Sequence, residues 1–152
     1  METSVWNFLF VDDAPEKRKI TERFFHDVET GGYEIFISEA VKAEILSAAS
    51  GKRERLFEVI RKFKPVELEY DESVRFLAGK YVEKGVLTEK HFADLLHLAY
   101  ASSNGLFALV SWNLKHLVKM KTLVLGNAVN MENGYPDIKI FTPEQVIDNE
   151  DD

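Results

Sequence analysis

Cysteine is absent from the 152 residues. That excludes disulfide scaffolds, thiolate zinc sites, thiol nucleophiles and iron–sulfur centres together. No apolar run approaches the ~18 residues of a membrane span. The opening METSVWNFLF lacks a positively charged n-region and a small-residue cleavage site, which argues against a secretory signal. There is no excess of positive charge either: 19 basic and 26 acidic residues give a formal charge of −7. A duplex-DNA binder working through phosphates is usually basic. Charge alone does not settle the partner, because Asp148, Glu150, Asp151 and Asp152 crowd the C-terminus. Basic residues also cluster, at Lys52, Arg53, Arg55, Arg61, Lys62 and Lys64 and again at Lys115, Lys119 and Lys121. Neither G-x-S-x-G, a phosphate-binding P-loop, G-x-G-x-x-G nor the zincin H-E-x-x-H occurs. What is present is 45% hydrophobic and 30% charged, the balance of a soluble globular protein, with the cytoplasm its expected location. The length suits one domain over residues 1–147, followed by an acidic mobile tail at 148–152.

Helix and strand signals alternate along the chain. An Asp12–Asp13 cap and Pro15 predict a helix through Val28, ended by Gly31 and Gly32. Residues 33–37 alternate and predict a strand, after which Ser38 caps a helix. A helix over 54–63 stops at Pro65. A short strand over 66–70 and a helix capped by Asp71 follow. Thr88 opens the most apolar helix, 92–101, and the apolar run 106–112 predicts a strand buried on both faces. Residues 116–122 read as helical, 127–135 as a loop with a turn at Asn133 and Gly134, and 138–141 as a last strand before a Thr142 cap. The alternation predicts a mostly parallel α/β sheet.

Ligands of such sheets bind beyond the carboxyl ends of the strands. Four polar positions fall there: an acid near the N-terminus, Glu44, Asp94 and Asn113. Glu44 shares a helix face with Ala40, Val41 and Ala48, and fits either a rim position or a site. Asp94 lies in a helix that is apolar nearly all round, where a buried carboxylate needs a partner, a cation or the helix dipole. Asn113 follows the apolar strand directly and can cap a turn or offer a carbonyl oxygen to a hard metal. His91, Asp94 and His97 advance by three residues each, so their directions spread over about 120° of the helix surface. One zinc ion is not easily reached by all three. Acids and amides without sulfur suit Mg²⁺ or Mn²⁺. Without the cation, crowded carboxylates should raise at least one pKa.

Taken in order, these segments resemble the PIN domain, a small metal-dependent nuclease family that includes VapC-type toxin ribonucleases. The resemblance rests on Glu2-Thr3-Ser4-Val5, on residues 37–45 with Glu44, on Asp94-Leu95-Leu96-His97-Leu98-Ala99, on Leu109-Val110-Ser111-Trp112-Asn113, and on Phe141-Thr142-Pro143-Glu144. It implies a three-layer α/β sandwich with a mostly parallel five-stranded sheet flanked by helices. It implies Glu2, Glu44, Asp94 and Asn113 as the catalytic and metal-holding set, with Ser111 as the family's small hydroxyl residue. It further implies one or two Mg²⁺ or Mn²⁺, RNA as substrate, a homodimer, an antitoxin protein as partner and no membrane. Lys42, Lys115 or His116 would hold the RNA backbone at the pocket mouth.

The first acid departs from the family pattern. The family has Asp at the end of a full strand; here Glu2 stands in its place and only Met1 precedes it. A trimmed start, a degenerate enzyme and a different register all account for this. In the last, residues 5–11 form the first strand and Asp12 ends it as the first acid. The functional alternative to a ribonuclease is a catalytically weak PIN-like module that binds RNA or a protein.

Overall fold

A computed structural model describes residues 1–147. The acidic tail expected at 148–152 lies outside the described residues. Eight helices and four strands succeed one another: α1 Thr3–Asn7, α2 Pro15–Glu29, β1 Phe36–Ser38, α3 Glu39–Leu46, α4 Ser50–Phe63, β2 Val66–Leu68, α5 Glu72–Glu83, α6 Phe92–Ser103, β3 Ala108–Val110, α7 Met120–Glu132, β4 Lys139–Phe141 and α8 Pro143–Val146. The caps explain several boundaries. The Ser38 hydroxyl accepts from the Val41 N–H and starts α3. Asp71 accepts from Ser73 N–H and starts α5. Thr142 and Gln145 form a reciprocal capping box at α8.

The fold is α/β, with the strands short and parallel. Among the described residues they form two pairs, β1 with β2 and β3 with β4, rather than one five-stranded sheet. The N-terminal residues lie between the pairs. The Met1 amine donates to the Phe36 carbonyl of β1 at 3.0 Å, and the Glu2 N–H donates to the Val110 carbonyl of β3 at 3.0 Å. Met1 and Glu2 thus occupy the line between the two pairs. Beside them, a slot of about 470 Å³ runs between Glu34, Ile35 and Phe36 on one side and Leu106, Phe107 and Ala108 on the other.

Hydrophobic packing falls into two clusters. One gathers Tyr81, Leu95, Leu98, Leu109 and Ile140 from α5, α6, β3 and β4. The other gathers Val5, Trp6, Phe25, Ile37, Ile45 and Leu56 from α1 to α4 and β1. Leu109 belongs to the first and its neighbour Val110 packs on the second, so β3 is covered on both faces as its apolar run predicts.

Three local expectations are corrected. Residues 5–11 do not form a strand: α1 and a 3-10 turn over Phe8–Phe10 take them, and Val5 and Trp6 are buried. The α2 cap is Ala14, without a side-chain bond; Asp12 instead pairs with Arg18 at 3.0 Å in solvent. The loop expected at 127–135 is mostly helix, because α7 begins only at Met120 and continues to Glu132. Its asparagines bond to other elements rather than making turns. Asn130 accepts from the Tyr81 hydroxyl at 2.6 Å and donates to Ser102 at 3.0 Å, while Asn127 clasps both the N–H and the carbonyl of Ile138. Only Asn133 and Gly134, the latter at φ 79°, form the expected turn.

Candidate metal centre

The polar cluster forms where β1 and β3 end. Strand β3 runs out into Ser111, Trp112 and Asn113, and β1 runs into the Ser38 cap of α3. Helix α3 carries Glu44 along one wall, and the first turn of α6 supplies Asp94. Glu2 is the cap residue of α1.

Glu2 is buried, and its carboxylate accepts from the Ser4 N–H at 3.2 Å, from the Ser4 hydroxyl and from the Ser111 hydroxyl at 2.7 Å. Ser111 in turn accepts from the Asn113 N–H at 2.9 Å, so one buried hydroxyl ties the first acid to the fourth position. Glu44 Oε1 lies 2.7 Å from His97 Nε2. Burial pushes the Glu44 carboxyl up, but the His97 hydrogen bond and charge outweigh it and hold the group below its ordinary value. Asp94 shows the opposite balance. Burial raises its carboxyl and the Glu2 charge adds to the rise, against the opposing influence of His116, His97 and His91.

The Asn113 amide bridges two neighbours. Its oxygen accepts from the His116 N–H at 3.0 Å and its nitrogen donates to Asp94 Oδ1 at 3.2 Å. The His116 N–H needs an acceptor, which fixes the amide with its nitrogen toward the carboxylate.

Ligand atoms of Glu2, Glu44 and His97 lie within 4.8 Å of one another, and Asp94 feels the charge of Glu2. The structure therefore brings Glu2, Glu44, Asp94 and Asn113 to one rim. Asp12, the alternative first acid, is solvent-exposed in its pair with Arg18 and takes no part. Lys42 pairs with Glu67 at 2.6 Å, which engages its ammonium away from the carboxylates. Lys115, Lys119 and Lys121 instead line a cleft of about 400 Å³ that also borders His91 and His116.

The helix geometry misses His97. Its three-residue offset from Asp94 argues against a shared zinc, yet it is 3% exposed and bonded to Glu44 from the neighbouring helix. A histidine inside an otherwise apolar helix is the available signal, since such a ring needs a polar partner.

The donor set fits a hard divalent cation. It offers three carboxylates with no thiolate, and the partners of Glu44 and Asp94 at ion-pair distance are histidines, His97 and His91. The raised Asp94 marks a carboxylate whose burial the surrounding histidines do not fully offset. This sets a pH dependence. A carboxyl raised by folding penalises the folded state as pH climbs from the unfolded value, about 3.9, through the raised one. Glu44 has the reverse sign and loses its stabilising contribution as pH falls. Bound Mg²⁺ or Mn²⁺ should cancel the Asp94 penalty. Thermal unfolding with EDTA and with saturating Mn²⁺ should therefore separate increasingly as pH rises above about 4. A separation that shrinks as pH rises contradicts it.

Among the described residues, no helix is long and apolar enough to cross a membrane. A family model described as PIN domain matches residues 1–112. The match contains Glu2, Glu44 and Asp94 and stops one residue before Asn113. No curated protein and no solved structure matches the chain.

Proposed function

The chain belongs to the PIN domain family, and from that premise we propose that it hydrolyses RNA phosphodiester bonds with Mg²⁺ or Mn²⁺ held by Glu2, Glu44 and Asp94. PIN domains are nuclease-type hydrolases as a class; the RNA substrate and the identity of the metal are our reading. The observation that carries it is that ligand atoms of Glu2 and Glu44, from distant segments, lie within 4.8 Å of each other and of His97, beside an Asp94 raised by burial with Glu2 adding to the rise.

A divalent ion bound there supplies a more acidic water and a positive charge beside a phosphoryl oxygen. The chain supplies the rest. His97 keeps Glu44 ionised and fixes its rotamer, so Glu44 can take a proton from the attacking water. Asn113 holds Asp94 by one oxygen, and Ser111 and Ser4 hold Glu2. The exposed lysines at 115, 119 and 121 border the adjacent cleft and suit successive phosphates of a single strand.

A labelled single-stranded RNA oligonucleotide incubated with the chain tests this. Cleavage is expected with Mn²⁺ and not with EDTA, leaving 5′-phosphate and 3′-hydroxyl ends, as attack by water with the 3′ oxygen leaving gives. Cyclic 2′,3′-phosphate ends, or cleavage that persists in EDTA, would exclude the mechanism. RNA retained without cleavage at millimolar Mn²⁺ would favour a binding module instead. That outcome has a basis in Glu2, whose carboxylate is already engaged by two hydroxyls and an N–H.

A further inference from the structure

We propose that His91, Asp94 and His116 form a second cation site, selective for a borderline transition metal of the Zn²⁺, Co²⁺ and Ni²⁺ class. The three residues arrive from separate elements. His91 closes the 3-10 turn Glu89–His91 and is the cap residue of α6, where its side chain makes no capping bond. Asp94 stands one turn further on. His116 comes from the turn after β3, with its backbone pinned on both sides. Its N–H donates to Asn113 and its carbonyl accepts from the buried Thr122 hydroxyl at 2.6 Å.

Their ligand atoms all lie within 4.8 Å of one another. His91 Nδ1 is 3.9 Å from Asp94 Oδ2, too far for a hydrogen bond but near the spacing of two ligands on one ion. Bonds of about 2.1 Å to zinc place tetrahedral ligands roughly 3.4 Å apart, which small side-chain rotations reach. The two imidazole rings lie 3.8 Å apart between centroids, inclined by 32°.

Two nitrogens and one oxygen suit borderline metals, whereas the neighbouring all-oxygen set suits Mg²⁺. Asp94 serves both sites with different atoms. Oδ1 faces Asn113 and Oδ2 faces His91. The outward position of the ion opens on the cleft lined by Lys115, Lys119 and Lys121. The site does not depend on the ribonuclease reading, because binding is measured without RNA.

The test is titration of the untagged chain with Co²⁺ at pH 7.5, followed by its visible absorption and by displacement with Zn²⁺. One equivalent is expected to bind with imidazole ligation. Loss of a mere outer-shell partner already weakens metal sites about 10- to 100-fold, so His91→Gln and His116→Gln should each weaken Co²⁺ binding at least about tenfold. His97→Gln and His26→Gln should leave it unchanged, with circular dichroism confirming the fold of each variant. No visible band in the parent chain overturns the proposal. Binding lost in His97→Gln but kept in the other two also overturns it, since the ion would then sit with Glu2 and Glu44.

Discussion

Asp94→Asn should reduce Mn²⁺-dependent RNA cleavage at least about 100-fold, equivalent to about 2.7 kcal/mol of barrier, while the metal-free chain becomes more stable at neutral pH. Both halves follow from one carboxylate. Asp94 is held above its ordinary value by burial and by Glu2, so its charge costs the empty fold and serves only when a cation shares it. Asparagine keeps the oxygen that accepts from Asn113 and removes the charge. Activity is read on the RNA oligonucleotide and stability by urea denaturation in EDTA. If the variant cuts as fast as the parent, Asp94 is not a ligand. If it is inactive but also markedly less stable, the loss reflects damage to the fold.

The second large effect concerns the helix that presents Glu2. Trp6→Ala should destabilise the chain by about 3–5 kcal/mol and lower its melting temperature by roughly 10 °C or more. Trp6 is fully buried, and its ring packs on Phe25 at 5.0 Å between centroids. It anchors α1, a helix of five residues with little stability of its own. Since Glu2 caps that helix, the same substitution should weaken Mn²⁺ binding under conditions where the variant is still folded. Trp6→Phe retains most of the buried area and should lose far less of either property. A loss below about 1 kcal/mol in Trp6→Ala would mean that α1 is held by something else.

Most of the site was legible in the sequence because its members carry unusual chemistry for their surroundings. Asp94 in an apolar helix and Asn113 at the end of an apolar strand are conspicuous, and the order of the segments singles out Glu2 and Glu44 as candidates. The partners were less legible. His97 meets Glu44 across two helices, a contact that spacing within one helix does not reveal. His91 and His97 do not converge, as their angular spread implies, but each finds a different group. Elements announced by side-chain caps, such as α3, α5 and α8, start where the sequence places them. Helix α7 was hidden because Asn127 and Asn130 have local turn chemistry, and only tertiary partners show why they tolerate a helix. The run 5–11 has strand-like composition, yet the Glu2 cap and packing of Val5 and Trp6 impose a helix.

The slot between β1 and β3 has one more consequence. A continuous open sheet keeps its unpaired edges on the periphery, where charge and curvature blunt them. Here two further rims, of β1 and β3, face each other across the slot beside the exposed ring of Phe107, bridged by the Met1 amine on Phe36 and the Glu2 N–H on Val110. Any extended segment added to this domain would therefore find its pairing groups at the centre of the fold rather than at its outskirts.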